Sequence, residues 1–254
     1  MPGPCVPNGL SQFFRDHPKV LLAFSGGADS SYLLYAAKEC GADVVAYTLR
    51  GPFQARSETA AAIEFAGSMG VEHHVIDADP LSDPGIASNG PDRCYLCKKS
   101  MFNTLLSISD GQGRELIDAT NLSDDPRTRP GMRALEEFGV LSPLRLSGIN
   151  KSQVRELSRR AGLPTADVPS NSCLATRIMG GIAITSEALG RVEESEQSLS
   201  SMGFSGHRVR DRGDRCVLEV RERDSELLRS MKVEVESVLR RHYTAIDYGR
   251  RETE

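Results

Sequence analysis

The stretch that decides the fold is residues 20–30, which read Val20-Leu21-Leu22-Ala23-Phe24-Ser25-Gly26-Gly27-Ala28-Asp29-Ser30. Five apolar residues enter a serine-glycine-glycine turn, and a helix-spaced apolar run from Tyr32 to Ala37 follows. This pattern predicts a strand buried on both faces, a tight turn and a helix. The glycines lack a Cβ, so their N–H groups can approach a ligand, and the helix N-terminus adds unpaired donors with partial positive charge. The stretch therefore predicts an anion cradle, for which phosphate is the usual occupant.

The loop differs from the lysine-bearing phosphate loop and from the dinucleotide fingerprint, because neither Gly-Lys-Ser/Thr nor Gly-x-Gly-x-x-Gly is present. Residues 25–30 instead resemble the SGGxDS pyrophosphate loop of the N-type ATP pyrophosphatases, which include NAD synthetase, GMP synthetase, argininosuccinate synthetase and tRNA thiolation enzymes. The resemblance implies that the loop binds the pyrophosphate of ATP while an acceptor oxygen is adenylated. An ordinary glycine-rich turn is the alternative.

Length and composition indicate a globular protein. A chain of 254 residues, 39% hydrophobic and 26% charged, can bury the core of one large or two modest domains. The net charge of −4 gives no general signal for nucleic acid. No apolar run approaches the ~20 residues of a membrane span, and the N-terminal residues lack the pattern of a signal peptide. We therefore expect a cytoplasmic protein whose six cysteines are reduced.

Two regions of the chain differ in their pattern. Up to about residue 180, strands predicted at 20–24, 44–48, 72–76 and 115–120 alternate with helices at 57–69, 94–108 and 151–161. Alternation predicts an α/β fold, a parallel sheet flanked by helices with ligands beyond the strand C-termini. Beyond about residue 180, the pattern predicts long helices at 185–202 and 225–241 together with short strands at 207–209, 216–220 and 245–248. We predict a PP-loop domain (HUP class, adenine nucleotide alpha hydrolase-like) over residues 1–180 and a small α+β domain over 181–254.

The cysteine spacing suggests metal chemistry. Cys94 and Cys97 form a Cys-x-x-Cys pair at the start of a predicted helix, and Cys173 lies in a polar segment with Arg177 close behind it. Three thiolates suit a [4Fe–4S] cluster with one iron open to a non-protein ligand, whereas zinc would need a fourth ligand. A redox dithiol and three unrelated reduced cysteines are the alternatives. Cys40 and Cys216 are expected to be structural.

Two charged pairs complete the candidate residues. Asp124 and Asp125 follow the fourth predicted strand and offer hard oxygen ligands for Mg²⁺ bound to ATP phosphates; a plain acidic turn is the alternative. Strand alternation places Arg208 and Arg210 on one face, with Val209 toward the core. Their guanidiniums could hold a phosphate monoester bidentately, unless the strand is simply a solvated edge.

Over nearly its whole length the chain resembles the LarE family, ATP-dependent sulfur transferases that help make the nickel-pincer cofactor of lactate racemase. The Arg-Pro-Gly string at 129–131 and the Cys-Leu-Ala string at 173–175 are more specific than the loop alone. The resemblance also rests on Lys151, on Glu196 and on residues 25–30, 118–121, 124–125, 129–135, 142–144, 154–157, 173–178, 208–210 and 218–220.

The family implies a substrate and residue roles. Its substrate is pyridinium-3,5-biscarboxylic acid mononucleotide: ATP adenylates a ring carboxylate, pyrophosphate leaves, and sulfur then displaces AMP to give a thiocarboxylate. The implied partners are this nucleotide, a sulfur donor and further copies of the chain. By resemblance, ATP is assigned to Ser25, Gly26, Gly27, Asp29, Ser30, Asn121, Asp125 and Arg177. The substrate phosphate is assigned to Arg208 and Arg210, with Glu196 and Glu219 as acidic positions near it.

The family has two sulfur sources. In one branch a lone cysteine, matching Cys173, gives up its own sulfur; in the other, three cysteines hold a [4Fe–4S] cluster. Because this chain has Cys94, Cys97 and Cys173, we favour the cluster branch, with Cys173 as the catalytic cysteine. The remaining alternatives are a PP-loop tRNA thiolation enzyme and a non-catalytic nucleotide- or metal-binding module.

Overall fold

The computed structural model describes residues 5–127, 129–169 and 172–251. They divide between two compact units. Unit 1 takes the described residues of Met1–Gly51, Arg56–Ala78 and Cys94–Ser170, and unit 2 those of Pro52–Ala55, Asp79–Arg93 and Asn171–Glu254. None of the helices in these ranges is both long and apolar enough to cross a bilayer.

The elements follow the alternation expected from the sequence. The helices are α1 (Asn8–Asp16), α2 (Ala28–Glu39), α3 (Arg56–Ser68), α4 (Pro84–Ala87), α5 (Arg93–Gln112), α6 (Met132–Glu137), α7 (Pro143–Leu146), α8 (Lys151–Arg160), α9 (Ser186–Ser201), α10 (Ser225–Ser230) and α11 (Lys232–Leu239). The strands are β1 (Lys19–Ala23), β2 (Asp43–Arg50), β3 (Glu72–Asp77), β4 (Glu115–Ile117), β5 (Arg208–Asp211), β6 (Arg215–Val220) and β7 (Ala245–Arg250). Short 3-10 turns lie at Pro80–Ser82, Leu174–Arg177 and Glu222–Asp224.

Unit 1 is built on the predicted parallel sheet, whose strand order is β3-β2-β1-β4. β1 is central: Leu22 pairs with Ala46 of β2 on one side and with Ile117 of β4 on the other. The chain moves outward from β1 through β2 to β3 and then returns to the far side of β1. This reversal of direction makes the carboxyl ends of β1 and β4 the switch point at which open α/β sheets bind ligands.

Both faces of this sheet are covered, which explains the unbroken apolar run in β1. Leu22 packs in a cluster with Phe14 of α1 and Leu33 of α2. Its neighbour Leu21 points to the opposite face, where it packs in a cluster with Phe102 of α5. Side chains alternate along a strand, so a strand covered on both faces needs apolar residues at successive positions.

Unit 2 contains a second, three-stranded sheet of order β5-β6-β7, in which β5 is antiparallel and β7 parallel to β6. Leu199 of α9 and Leu239 of α11 pack with Val209 and Leu218 of the sheet. Cys216 is completely buried in this core, as expected of a structural cysteine. The predicted α+β character of the C-terminal region is therefore present in the structure.

The structure differs from the sequence expectation in three places. Unit 2 includes residues 172–180 and 79–93, which were expected to belong to the first domain, the latter as a plain loop. Ile184 N–H donates to Ala87 O in this unit. The helix expected over 225–241 is broken at Met231, whose φ of −111° departs from helical geometry. β4 ends at Ile117 because Asp118 turns its side chain to accept from Thr120 N–H at 3.1 Å.

Candidate functional site

The glycine-rich loop between β1 and α2 is held in one shape by its own hydrogen bonds. Gly26 has a positive φ of 72°, and a Cβ on it would lie 2.8 Å from Ala62 Cβ, so the turn requires glycine. Ser25 Oγ accepts from Gly27 N–H at 3.4 Å and lies 3.1 Å from Ser30 Oγ. Ser30 Oγ also lies 3.1 Å from Gly27 O, to which it can donate. The loop is thus a preformed cradle at the N-terminus of α2, suited to phosphate.

Asp29, in the first turn of α2, joins this loop to the segment after β4. Its Oδ1 accepts from Asn121 Nδ2 at 3.1 Å. Burial raises the pKa of Asp29, and the nearby Asp124 carboxylate raises it further, while Lys151 acts in the opposite sense. The bond spans 92 residues of sequence and connects the loops that leave the two strands at the switch point. It brings together two of the residues assigned to ATP from the sequence.

The two aspartates after β4 have separate environments. Asp124 is buried, accepts from Asn121 N–H at 2.9 Å and pairs with Arg129 Nη1 at 2.8 Å. Asp125 is more exposed and is held by the backbone and guanidinium of Arg127, which lower its pKa. They are therefore not a symmetrical pair of metal ligands.

The donor set of this loop fits a magnesium–nucleotide complex. Mg²⁺ in such sites takes one or two protein carboxylates and completes its shell with phosphate oxygens and water. Asp29 and Asp124 interact electrostatically across the switch point, and their hard oxygens are the ligands that Mg²⁺ prefers.

In unit 2 the largest wholly buried side chain is Arg177, with an exposed fraction of 1%. Its Nε and Nη2 donate to the carboxylate of Glu196 at 2.9 and 3.2 Å, and its Nη1 donates to Ser172 O at 2.7 Å. Glu196 Oε1 also accepts from Val209 N–H at 2.9 Å. The sequence assigned Arg177 to ATP, whereas the structure places its guanidinium in an ion pair that joins α9, β5 and the segment around Cys173.

The predicted alternation of β5 is present, with Val209 completely buried and Arg208 and Arg210 on the opposite face. Arg210 Nε donates to Glu219 Oε2 at 2.9 Å, and its Nη1 donates to Thr176 O at 2.9 Å. Glu219 of β6 stands opposite Arg208 in the strand register. Unit 2 therefore contains all four residues assigned to the substrate-phosphate region, and two of them, Arg210 and Glu196, contact residues 172–178.

The three candidate ligand cysteines are divided between the units. Cys94 is exposed and Cys97 is half-buried, and both lie in the first two turns of α5 in unit 1. Cys173 is exposed and precedes a 3-10 turn in unit 2. Arg93 of unit 2, the residue before Cys94, donates to Ala175 O at 3.0 Å, two residues beyond Cys173. Within the described ranges, no three His, Cys, Asp or Glu side chains form a group that could hold a metal ion.

The sequence analysis did not single out Lys98, whose Nζ lies 3.7 Å from Asp118 Oδ2 at the end of β4. Asp118 itself was noted only within a string that resembles the family.

The chain is similar to known proteins over most of its length. The family described as queuosine biosynthesis protein QueC matches residues 19–90. The uncharacterized protein slr1717 of Synechocystis sp. is 34% identical over 213 residues, which cover 83% of this chain and 80% of that protein. Pyridinium-3,5-bisthiocarboxylic acid mononucleotide synthase of Lactiplantibacillus plantarum is 30% identical over 211 residues, covering 82% and 76%. A tRNA-specific 2-thiouridylase MnmA of Methylobacterium nodulans is 29% identical over 195 residues, covering 60% and 50%.

Proposed function

Because the chain belongs to the LarE family of ATP-dependent sulfurtransferases, we propose that it converts a carboxylate of pyridinium-3,5-biscarboxylic acid mononucleotide into a thiocarboxylate, in synthesis of the nickel-pincer cofactor of lactate racemase. The observation that carries the proposal is the hydrogen bond between Asn121 and Asp29. This bond joins the two loops at the switch point, and it supports the proposal that both loops contribute to one nucleotide site.

ATP binds, in this proposal, with its phosphates over the loop formed by Ser25, Gly26 and Gly27. Backbone N–H groups and the α2 N-terminus supply donors and partial positive charge to the phosphate oxygens. Asp29 and Asp124 supply the carboxylates for Mg²⁺, which neutralises charge on the phosphates. Ser30, Asn121 and Asp125 line the same loops, and Asn121 keeps Asp29 oriented toward them.

The chemistry has two steps. First, a ring carboxylate oxygen forms a bond to the α-phosphorus, the bond to the β-phosphate oxygen breaks, and pyrophosphate leaves. Second, a sulfur nucleophile forms a bond to the carbonyl carbon, and the bond to AMP breaks. The first step is needed because a carboxylate is a poor electrophile, whereas its anhydride with AMP carries a good leaving group. Thiolate or sulfide suits the second step as a strong nucleophile near neutral pH.

Unit 2 supplies the substrate-phosphate residues. Arg208 and Arg210 share one face of β5, where two guanidiniums can hold a phosphate monoester by bidentate hydrogen bonds. Glu219 holds Arg210 in its orientation through the 2.9 Å bond. Glu196 supports the same strand by accepting from Val209 N–H, and it is neutralised by Arg177. In this proposal Arg177 therefore organises the substrate site rather than contacting ATP.

Cys94, Cys97 and Cys173 are the proposed sulfur-site residues, with Cys173 catalytic. Three thiols are a donor set chemically suited to a [4Fe–4S] cluster, and a cluster with one iron not bound by protein would hold a transferable sulfide. If Cys173 itself were the donor, its Cβ–S bond would break and dehydroalanine would remain.

The test measures pyrophosphate and thiocarboxylate formed from MgATP with the pyridinium dicarboxylate nucleotide, with tRNA, and with neither. Pyrophosphate release only with the nucleotide supports the proposal. Release with tRNA instead would replace it with a tRNA thiolation activity, and no acceptor-dependent release would refute the reaction.

A second experiment tests the sulfur source. The anaerobically reconstituted protein is expected to bind iron and sulfide in the amount of one [4Fe–4S] cluster per chain and to lose them in Cys97→Ser. Cys40→Ser, at the end of α2, is the matched control and should keep them. Iron retained by Cys97→Ser would contradict the cluster. Loss of the mass of hydrogen sulfide from Cys173 after one turnover would show the sacrificial route instead.

A further inference from the structure

The 3-10 turn Leu174–Arg177, which directly follows Cys173, is held from outside by arginine side chains. A turn this short forms few internal hydrogen bonds, so its backbone carbonyl groups need other donors. Three guanidiniums of unit 2 supply them: Arg177 Nη1 donates to Ser172 O at 2.7 Å, Arg210 Nη1 to Thr176 O at 2.9 Å and Arg93 Nη1 to Ala175 O at 3.0 Å. Hydrogen bonds from charged donors are stronger than neutral ones. The conformation of this turn therefore depends on these side chains as well as on its own backbone.

Arg93 is the member of this set that has no part in the function proposed so far. It is half-buried at the first position of α5. Its Nη1 carries two hydrogens and has two acceptors, Ala175 O and Asn89 Oδ1. The same nitrogen therefore contacts both the turn and the side chain of Asn89.

Asn89 is built as a rigid support for that guanidinium. Its side chain is buried, and its Nδ2 donates to Met179 O at 2.9 Å and to Ile182 O at 3.0 Å. Because carbonyl oxygens take both amide hydrogens, Oδ1 is the atom left to face Arg93. Its φ is 58°, and no other non-glycine residue in the described part of the chain has a positive φ. Such a conformation costs energy and persists where the surrounding contacts require it.

We propose that Arg93 is a positioning residue for sulfur transfer, which holds the turn after Cys173 in place, and that Asn89 sets the direction of its guanidinium. The inference rests on the proposed function, because it takes Cys173 as the residue that gives or holds the sulfur. Cys173 is exposed, so the place of its thiol depends largely on the backbone that carries it. A displacement of about 1 Å at a reacting group can lower a rate about 100-fold.

The consequence falls on the second step of the reaction. When the sulfur is out of place, water attacks the carbonyl carbon of the acyl-adenylate, AMP leaves and the carboxylate is formed again. Pyrophosphate has already departed by then, so its release continues while thiocarboxylate is lost. A variant that only displaces the sulfur is therefore expected to separate the yields of the two products.

Arg215 of β6 provides a matched control in unit 2. Its Nη2 lies 2.9 Å from Asp247 Oδ2, and both side chains are about half exposed. Replacing Arg215 by methionine removes the same charge from the same unit and leaves the contacts of the turn unaltered.

The first measurement is amide hydrogen exchange in the ligand-free protein, which reports the turn without any substrate. Arg93→Met removes the bond to Ala175 O, and Asn89→Gly removes the support while glycine still accepts the positive φ. Both variants should exchange the amides of residues 174–179 about tenfold faster or more, since local opening becomes easier. The same amides in Arg215→Met, and those of β6 in Arg93→Met and Asn89→Gly, should stay within about twofold of the parent protein.

The second measurement is the ratio of thiocarboxylate to pyrophosphate formed in a single turnover from MgATP and the pyridinium dicarboxylate nucleotide. Arg93→Met should lower this ratio about tenfold or more, while the rate of pyrophosphate release stays within about twofold. Arg93→Lys should recover part of the ratio, because an ammonium can donate to the same carbonyl. A role in the stability of unit 2 alone would lower both products together and leave the ratio unchanged.

A ratio for Arg93→Met equal to that of Arg215→Met would overturn the proposal, and so would faster exchange at an unchanged ratio. If Arg93→Met does not fold, Asn89→Gly and Arg93→Lys decide, and each must lower the ratio more than Arg215→Met does. Failure of the two proposals can be distinguished. Faster exchange of residues 174–179 in Arg93→Met, in a protein whose parent never turns over the nucleotide, would support the hold of Arg93 on the turn and refute the substrate.

Discussion

Replacing Gly26 by alanine tests whether the cradle is as tightly built as the structure indicates. Two costs are expected. Gly26 has a φ of 72°, and a residue with a Cβ in this left-handed backbone conformation lowers the free energy of unfolding by about 1 kcal/mol or more. The new Cβ would also lie 2.8 Å from Ala62 Cβ and 2.9 Å from Ala62 Cα, and Ala62 is completely buried on the inner face of α3. Overpacking of this kind costs about 1–3 kcal/mol. We therefore expect a loss of about 2–4 kcal/mol in the free energy of unfolding.

The control is Gly139→Ala, also in unit 1. Gly139 has a φ of 63°, and nothing lies within 4 Å of the position that its Cβ would take. This variant should lose only the backbone cost of about 1 kcal/mol. The difference between the two variants isolates the packing against Ala62. Ala62→Gly added to Gly26→Ala should recover only part of the loss, because the backbone of residue 62 would still lie 2.9 Å from the new Cβ.

Both variants are measured by denaturant unfolding, with MgATP binding followed by calorimetry. Gly26→Ala should also weaken MgATP binding, since the loop must shift away from α3, whereas Gly139→Ala should bind normally. Equal losses of stability in the two variants, within about 0.5 kcal/mol, would refute the reasoning that packing against α3 fixes the loop.

Further predictions concern the buried charges and the thiols. The pKa of Asp29 is raised, so its neutral form stabilises the fold below the ordinary value of 3.8, and this contribution is lost as the pH rises through the raised pKa. Asp29→Asn should therefore stabilise the ligand-free protein more at pH 7 than at pH 4. A change in unfolding free energy that does not depend on pH would contradict this prediction. Arg177→Met leaves Glu196 without its ion-pair partner and should lower the free energy of unfolding by about 3 kcal/mol. The double variant Arg177→Met/Glu196→Gln should recover part of that loss. A loss below about 1 kcal/mol in Arg177→Met would show that the pair is dispensable. Burial raises the pKa of Cys216 to about 12. At pH 8 a thiol reagent should therefore modify the exposed Cys173 quickly and Cys216 only on unfolding, as measured by peptide mapping. Equal rates of modification would contradict the burial of Cys216.

Several features of the fold were predictable because they depend on neighbours in the sequence. The apolar run of residues 20–24, the glycines after it and the helix-spaced residues beyond them predicted the β1–loop–α2 unit. The alternation of Arg208, Val209 and Arg210 predicted which side chain of β5 is buried. Periodicity of this kind is local, so a single sequence records it directly.

Other features depend on contacts between distant parts of the chain. Nothing in residues 79–93 signals that Asn89 Nδ2 donates to Met179 O at 2.9 Å, which helps to join this segment to unit 2. The 3.6-residue period likewise indicated one helix over 225–241, although the backbone departs from helical geometry at Met231. Local pattern alone does not record such effects of tertiary packing.

The sequence by itself determined the parallel sheet, the position of the phosphate cradle and the set of candidate residues, since glycine turns and strand alternation are set by covalent geometry over a few residues. Only the tertiary structure decided which of these residues act together. It paired Asp29 with Asn121, Arg177 with Glu196 and Lys98 with Asp118. The physical reason is that a buried charged or polar group must find a partner in space, and the partner's place in the sequence has no bearing on that requirement.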